Sequence, residues 1–250
     1  MALLLRDIQA HPYMFTTALE TLYTWALSQE KRYVCTCTVY TLMRALEDQT
    51  IHTALVQADM RTADGMPLVW LQHYQGSASS ERVYGPDLML ALFSKTSTND
   101  GVSHFFLGGL PGIPEKLADA LRARFPGTTI AGIISPQFSE TATVPDPEIV
   151  ERLNQSGATI IWVGLGSPKQ DLWMHLYRPF LKAPLLIGVG AAFDFIAGEK
   201  AQAPVWMQKR ALEWLFRLIQ EPSRLWKRYL IYNFRFIRHI CSLYLRGQLK

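Results

Sequence analysis

Short apolar runs alternate along this chain with segments in which apolar residues recur at helical spacing. The runs rich in β-branched and aromatic residues predict strands, because such side chains suit a pleated, half-buried surface. Predicted strands cover residues 33–41, 104–107, 128–134, 159–163 and 185–189, with short extended pieces ending at Gly65 and over 83–85. Predicted helices cover residues 42–58, 66–74, 146–154 and 168–177, and two more begin near Asp87 and Pro114.

Strands that alternate with helices predict a mostly parallel sheet with helices on both faces, which is an α/β, Rossmann-like fold. Three of the strands run into glycine-rich turns, at Gly108-Gly109, at Gly164-Leu165-Gly166 and at Gly190. Ligands of such sheets bind at the carboxyl ends of the strands. We therefore expect the functional site along that edge.

The last fifth of the chain differs in charge from the rest. Residues 200–250 contain 11 of the 25 Lys+Arg and 2 of the 21 Asp+Glu residues, a net charge of +9 that leaves −5 for the remainder. Proline positions predict two helices here, one over 204–220 and one beginning at Pro222. Aromatic residues lie between the basic ones, which is typical of segments that contact lipid headgroups or nucleic acid. We interpret residues 1–200 as an α/β domain and 201–250 as a basic helical appendage.

The composition favours a protein that neither spans a membrane nor is exported. No apolar run reaches the roughly 20 residues that a spanning helix needs, and the most apolar stretch, residues 183–198, contains Pro184 and Asp194. The first ten residues lack the basic start and long apolar core of a signal peptide. The three cysteines form no CxxC pair, so we expect idle thiols in a reducing cytoplasm.

Several polar residues stand at predicted strand ends. Asp64 is either a turn former or a functional carboxylate, because Asp-Gly is common turn chemistry. The stretch from Ser167 to Asp171 follows a strand at the point where a helix begins. Lys169, Gln170 and the backbone N–H groups there could face an anionic ligand. In the alternative interpretation, Ser167 is only the helix N-cap and Asp171 an acidic residue of the first turn.

Other site chemistries find little support. The six histidines lack the spacing of a zinc site, and no Asp-x-Asp motif is present to bridge a metal ion to a diphosphate, so we predict no metal and no cofactor. Gly164-x-Gly166 and Gly188-x-Gly190 leave the dinucleotide fingerprint GxGxxG incomplete, since Lys169 and Phe193 occupy its sixth position. No GxSxG motif supports a serine hydrolase.

Seven motifs follow one another between residues 30 and 235. They are Thr36-x-Thr38, Ala63-Asp64-Gly65-Met66, Arg82-Val83-Tyr84-Gly85-Pro86-Asp87-Leu88, Phe106-Leu107-Gly108-Gly109, and residues 163–170, 188–198 and 212–224. In this order they resemble the WecG/TagA/CpsF family of bacterial glycosyltransferases. Members of that family transfer N-acetylmannosamine, its uronic acid or glucose from UDP onto polyprenyl-diphosphate-linked sugars. The resemblance implies a role in cell-surface polysaccharide and cell wall synthesis.

The resemblance also implies roles for individual residues. Asp64 is the implied catalytic base. Arg217 and Arg224 fall on arginines of an appendage that closes over the site and touches the membrane, and a further basic position is Lys227 or Arg228. Thr36, Arg82 and Gln170 fall with Asp64 on active-site positions of the family. The candidate catalytic residues are Asp64 and Thr36. The candidate substrate-binding residues are Arg82, Gly108, Gly109, Gly164, Gly166, Lys169, Gln170, Arg217 and Arg224.

Four positions depart from the family pattern. The family usually has Asn at Thr38, Glu at Asp171 and a basic residue near Gln202, and residues 135–138 read Ser-Pro-Gln-Phe in place of Asp-Gly-Tyr-Phe. These departures bear on the donor sugar rather than on the type of reaction.

The implied reaction is an inverting transfer from a UDP-sugar donor to a lipid-diphosphate-linked acceptor. A base must take the acceptor proton, and the departing diphosphate must be stabilised. A free Asp, with a pKa of about 4, is ionised at pH 7. Helix N-termini and the basic segment are left to hold the diphosphate. The same segment would hold the enzyme on the anionic inner face of the plasma membrane. We therefore expect a cytoplasmic, peripheral protein without a nucleic-acid partner, and a homo-oligomer stays open.

Two alternatives from other classes stay open at this point. The glycine turns suggest a nucleotide-binding dehydrogenase, which tight NAD binding without UDP binding would identify. The basic segment suggests a membrane-associated or nucleic-acid adaptor without transferase activity. Failure to turn over any UDP-sugar, with binding that persists in Asp64→Asn, would identify the adaptor.

Overall fold

A computed structural model describes residues 5–98, 101–137 and 139–249. Its strands are β1 Arg32–Cys37, β2 Met60–Ala63, β3 Ser103–Gly108, β4 Thr129–Ile134, β5 Ile160–Gly164 and β6 Leu185–Gly188. Within these described ranges the strands form one six-stranded sheet in the order β2-β1-β6-β5-β3-β4. Every neighbouring pair is parallel. The parallel sheet confirms the predicted α/β, Rossmann-like fold.

Helices precede, connect and follow the strands. Up to the last strand and just beyond it they are α1 Leu5–Ile8, α2 Phe15–Ala26, α3 Val39–Ala45, α4 Gln49–Val56, α5 Met66–Tyr74, α6 Gly85–Thr96, α7 Ile113–Arg124, α8 Pro147–Gln155, α9 Lys169–Tyr177 and α10 Ala192–Ile196. The basic segment contains α11 Val205–Lys209, α12 Glu213–Gln220, α13 Pro222–Trp226 and α14 Tyr232–Leu245. A π-helical turn, Lys227–Ile231, joins the last two.

The sheet separates two hydrophobic clusters. Along β5, Ile160 and Trp162 pack with α2, α6 and α7, whereas Ile161 and Val163 pack with α4 and α9 on the opposite face. This alternation follows from the two-residue period of a strand. Apolar residues on both faces explain why the strands read as continuous apolar runs. Trp162 is fully buried, and truncating such a side chain costs about 3–5 kcal/mol.

The cysteines lie as the sequence suggests. Cys35 and Cys37 are buried on the same face of β1, two residues apart, and Cys241 is exposed on α14. All three are free thiols.

Two element boundaries predicted from the sequence are wrong for the same reason, a helix cap. The strand predicted over 33–41 ends early, because the Thr38 side chain accepts a hydrogen bond from the Thr41 N–H and caps α3. The helix predicted over 42–58 is two helices, because the Asp48 carboxylate caps the start of α4. The pattern alone did not reveal these caps, since threonine also suits a strand.

The helix predicted over 204–220 is also wrong as a single element. Ala211 has a φ of +58°, a left-handed conformation that ends α11 before α12 begins. The second helix does begin at Pro222, as predicted. That helix is short, and the π-helical turn Lys227–Ile231 separates it from α14.

The last helix is packed onto the α/β part of the chain. α14 lies against α3, and its Phe236 is buried in the same cluster as the core residues of β1. Tyr232, Ile240 and Leu243 are partly buried there as well. The basic segment therefore shares a hydrophobic cluster with the sheet, and the division of the chain at residue 200 stays a prediction.

Glycines allow β3 and β5 to approach closely at their carboxyl ends. Gly108 pairs with Gly164 and has a φ of +107°. A Cβ atom at Gly108 would lie 2.8 Å from the carbonyl carbon of Gly164, and one at Gly164 would lie 2.6 Å from the Phe193 ring. Neither position accepts a side chain without movement of its neighbours.

We predict that Gly108→Ala destabilises the protein more than Gly76→Ala. Gly76 has a similar φ of +95°, but a Cβ there meets nothing within 4 Å. Both variants carry the left-handed cost of about 1–2 kcal/mol. Overpacking at Gly108 should add about 1–3 kcal/mol. Urea unfolding of both variants measures the difference, and equal losses would show that the close approach does not constrain this position.

Candidate active site

A cleft of about 770 Å³ lies between the carboxyl edge of the sheet and the C-terminal helices. The predicted site residues that line it are Thr36, Asp64, Gly109, Gly164, Gly166, Lys169, Gln170, Arg217 and Arg224. A smaller cavity of about 100 Å³ adjoins the cleft. Asp64 and Arg217 line both spaces, and Arg82 lines the smaller one. Gly108 stands apart from these linings and contributes the close strand approach described above.

Asp64 is held at the boundary of the two spaces. It directly follows β2, and its Oδ1 accepts a hydrogen bond of 3.0 Å from the Gly85 N–H at the start of α6. Desolvation raises the pKa of the Asp64 carboxyl above its usual range, and the negative charge of Glu213 adds to the rise. Arg82 and Arg217 oppose it. The carboxyl is therefore a stronger base than a free Asp.

Glu213 connects the C-terminal helices to the loop around Asp64. The Arg82 Nη2 donates to its carboxylate at 2.7 Å, and the Tyr84 hydroxyl donates to it at 2.9 Å. The Arg82 Nε in turn donates to the backbone oxygen of Asp64 at 2.5 Å. Glu213 was not among the site residues predicted from the sequence, although it belongs to the motif at residues 212–224. An acidic residue at a helix start is common and does not by itself indicate a site.

Gln170 supports the glycine turn after β5. Its Oε1 accepts the Gly166 N–H at 3.1 Å, and a Cβ at Gly188 would lie 2.8 Å from its Nε2. The Thr36 hydroxyl donates to the Gly188 oxygen at 2.7 Å from the other side. The end of β6 therefore needs a glycine, and Thr36 and Gln170 are fixed against it.

The start of α9 differs from the alternative interpretation of the sequence. The N-cap is Pro168, and it makes no side-chain capping bond, so Ser167 is not the N-cap. Asp171 does lie in the first turn, as that interpretation has it, and its side chain is fully buried. Burial raises the pKa of its carboxyl to about 6, although the side chains of Ser167 and Cys35 stabilise the charged form. Lys169 lines the cleft at the first residue of α9.

The C-terminal arginines enter the cleft to different degrees. Arg228 lines both spaces, 3.5 Å from the Thr38 hydroxyl and with its guanidinium 4.8 Å from the centre of the Tyr40 ring. Lys227 lines only the larger space in these linings, so Arg228 is the better candidate for the further basic position. Arg224 lines the larger space and is paired with a carboxylate one turn earlier.

Arg228 and Arg235 flank a pair of tyrosine rings. The Tyr40 and Tyr232 rings meet edge to face, with their centres 4.8 Å apart. The Arg228 guanidinium lies 4.8 Å from the centre of the Tyr40 ring, and that of Arg235 lies 5.4 Å from the centre of the Tyr232 ring. Arg235 is also paired with Glu47.

The positions that depart from the family pattern lie in different surroundings. Thr38 caps α3 and faces Arg228. Ser135 donates to the Gly108 oxygen at 3.4 Å, and Gln202 is exposed. Phe138, the last residue of the 135–138 stretch, lies outside the described residues.

No group of three or more His, Cys, Asp or Glu side chains gathers within the described ranges in a way that could hold a metal ion. Among the same residues, no helix combines the length and apolarity needed to cross a bilayer.

Comparison with known proteins bears on the function of this cleft. A sequence profile described as the glycosyl transferase WecG/TagA/CpsF family matches residues 4–249. An N-acetylglucosaminyldiphosphoundecaprenol N-acetyl-β-D-mannosaminyltransferase of Bacillus spizizenii (strain ATCC 23059 / NRRL B-14472 / W23) is 28% identical over 217 residues. The alignment covers 86% of this chain and 80% of that relative.

Proposed function

Because the chain belongs to the WecG/TagA/CpsF family of glycosyltransferases, we propose that it is an inverting, UDP-sugar-dependent transferase. It moves a hexose, an N-acetylhexosamine or its uronic acid onto a polyprenyl-diphosphate-linked saccharide in cell-surface polysaccharide synthesis. The observation that carries the proposal is the position of Asp64, a desolvated carboxylate that lines both the large cleft and the small cavity.

The large cleft suits the diphosphate of the donor. The glycine turn after β5 and the start of α9 present backbone N–H groups, which favour anions. Arg217, Arg224 and Arg228 line the same space and can neutralise the charge that grows on the leaving UDP. Lys169 adds a further positive charge at its rim.

The small cavity suits the sugar of the acceptor. Met66, Pro67, Trp214 and Tyr229 contribute apolar and aromatic walls, and Asp64 lies at the boundary with the cleft. Asp64 takes the proton of the acceptor hydroxyl as that oxygen bonds to the anomeric carbon of the donor. The bond from the anomeric carbon to the diphosphate oxygen breaks in the same step, and UDP leaves with its electron pair. One displacement inverts the anomeric configuration.

A surface for the lipid side of the acceptor is present on the C-terminal helices. An exposed apolar stripe runs from α13 along α14, first at intervals of three or four residues and then near the end of α14, and consists of Trp226, Leu230, Phe234, Ile237, Tyr244 and Leu245. The exposed Trp70 and Tyr74 of α5 continue it, with the Tyr74 and Tyr244 rings 6.2 Å apart. The exposed Arg238 stands beside the stripe. Apolar residues beside basic ones suit the anionic cytoplasmic leaflet, so the proposal includes peripheral attachment there.

We expect Asp64→Asn to lower turnover by about 10²–10⁴-fold, the usual effect of losing a general base. Asparagine keeps the shape of the side chain and removes its basicity. Release of UDP is measured with UDP-sugars and a short-chain diphosphate-linked N-acetylglucosamine acceptor, and donor binding is measured separately. Near-wild-type turnover with intact donor binding would refute the role of Asp64. Wild-type protein that binds these ligands but turns over no UDP-sugar would favour the adaptor alternative.

Transfer is expected to persist after exhaustive EDTA treatment. Arginines and helix N–H groups are available to the diphosphate in the cleft, which supports a metal-independent reaction. EDTA preloaded with Mg²⁺ controls for other effects of the chelator. Complete loss of activity that Mn²⁺ or Mg²⁺ restores would contradict this prediction.

The exposed apolar stripe should serve lipid binding alone. Phe234→Ser/Ile237→Ser should weaken binding to anionic vesicles by about tenfold or more, because burying one such side chain is worth about 1.5–3 kcal/mol. Turnover of a water-soluble acceptor should stay within about threefold of the wild-type rate, which is a small effect on a scale where about 1.4 kcal/mol corresponds to tenfold. Arg224→Ala should instead lower turnover in both settings, since Arg224 lines the cleft.

The matched control for the stripe is Leu27→Ser/Phe180→Ser. Both side chains are exposed to a similar degree, but they lie near the amino-terminal edge of the sheet. If the control and the stripe variant weaken vesicle binding equally, or if the stripe variant binds like wild type, the stripe is not the lipid-binding surface.

A further inference from the structure

We propose that Glu213 is a positioning residue that latches the C-terminal helices onto the catalytic edge of the sheet through Arg82 and Tyr84. Its effect on catalysis rests on the proposed function. The latch itself is a structural statement that can be tested without any substrate.

Glu213 is placed where one side chain can control the whole segment. It is the first residue of α12, directly after the break at Ala211, and only 8% of its surface is exposed. Each of its carboxylate oxygens accepts one hydrogen bond, from the Arg82 guanidinium and the Tyr84 hydroxyl. Charged hydrogen bonds of this kind are short and strong, and a partner left behind in a buried pair is costly.

The two donors lead directly to the proposed base. Arg82 bonds the backbone oxygen of Asp64, and Gly85, the residue after Tyr84, bonds the Asp64 carboxylate. Arg217 stands one helical turn after Glu213 on α12, and its positive charge lowers the pKa of the Asp64 carboxyl. Glu213 therefore sets the separation between Asp64, which follows β2, and Arg217 of α12.

A second carboxylate, which is bound by the same C-terminal segment, offers a matched control. Glu47 also accepts from one arginine and one tyrosine, Arg235 and Tyr232 of α14. The side chains of the Glu47 pair are 41% and 46% exposed, whereas those of the Glu213 pair are 11% and 18% exposed. An exposed ion pair contributes little to the free energy of unfolding. The chemistry is the same, and only the burial and the contact with the Asp64 loop differ.

Limited trypsin digestion of the full-length protein tests the latch. We expect Glu213→Gln to speed cleavage after the basic residues of 209–246 by about tenfold or more, and Glu47→Gln by less than about threefold. The cleavage rate of Glu213→Asp should lie between those of the wild type and Glu213→Gln. Circular dichroism establishes that each variant is folded. Cleavage of Glu213→Gln at the wild-type rate, or equal acceleration in Glu47→Gln, overturns the proposal.

The pH profile of kcat/KM distinguishes positioning from simple stabilisation. The charged and titratable groups around the Asp64 carboxyl are Arg82, Tyr84, Glu213, Arg217 and Arg228. Glu213→Gln removes the negative charge that raises the pKa of Asp64 and leaves the positive charges. The base then stays ionised to lower pH, so the acid limb should move to lower pH while kcat/KM falls at neutral pH.

Glu47→Gln should leave that limb where it is. If Glu213→Gln leaves the acid limb in place and is also cleaved at the wild-type rate, Glu213 has neither the electrostatic nor the positioning role. A wild-type protein without transferase activity would defeat the proposed function but not the latch, because the digestion result stands by itself.

Discussion

Parallel pairing of the six strands is the constraint on which the rest of the structure depends. Because every strand points the same way, all carboxyl ends meet along one edge. β1 and β2 deliver Thr36 and Asp64 to that edge, and β3 and β5 deliver their glycine turns. The end of β5 leaves no room for a Cβ atom at Gly108, and the Phe193 ring leaves none at Gly164. The cleft is the space that this edge leaves open beneath the C-terminal helices.

More basic than acidic side chains line the cleft. Asp64 and Glu213 face three arginines, Arg82, Arg217 and Arg228. Burial lowers the pKa of Arg228, and the nearby positive charge of Arg217 lowers it further. Both effects therefore carry a free-energy cost for the cationic form of Arg228. A bound diphosphate would relieve that cost. Burial raises the pKa of the Asp64 carboxyl, and the positive charges of Arg82 and Arg217 oppose that rise.

The C-terminal helices combine three kinds of surface in one short segment. Phe236 anchors α14 in the core, the exposed apolar stripe lies on another side, and arginines enter the cleft from the turn before α14. The π-helical turn carries Lys227 and Arg228, and both line the cleft. Arg235 follows within α14 and pairs with Glu47.

The sequence by itself determined the α/β alternation, the start of a helix at Pro222, and the strand end that carries Asp64, because these follow from local periodicity and turn chemistry. It did not determine that Thr38 ends a strand, since a cap is defined by the bond its side chain makes. Only the tertiary structure decided that Glu213 joins Arg82 and that Arg228 enters the cleft. These contacts join residues far apart in the chain, and packing, rather than local pattern, sets which of many acidic or basic residues meet.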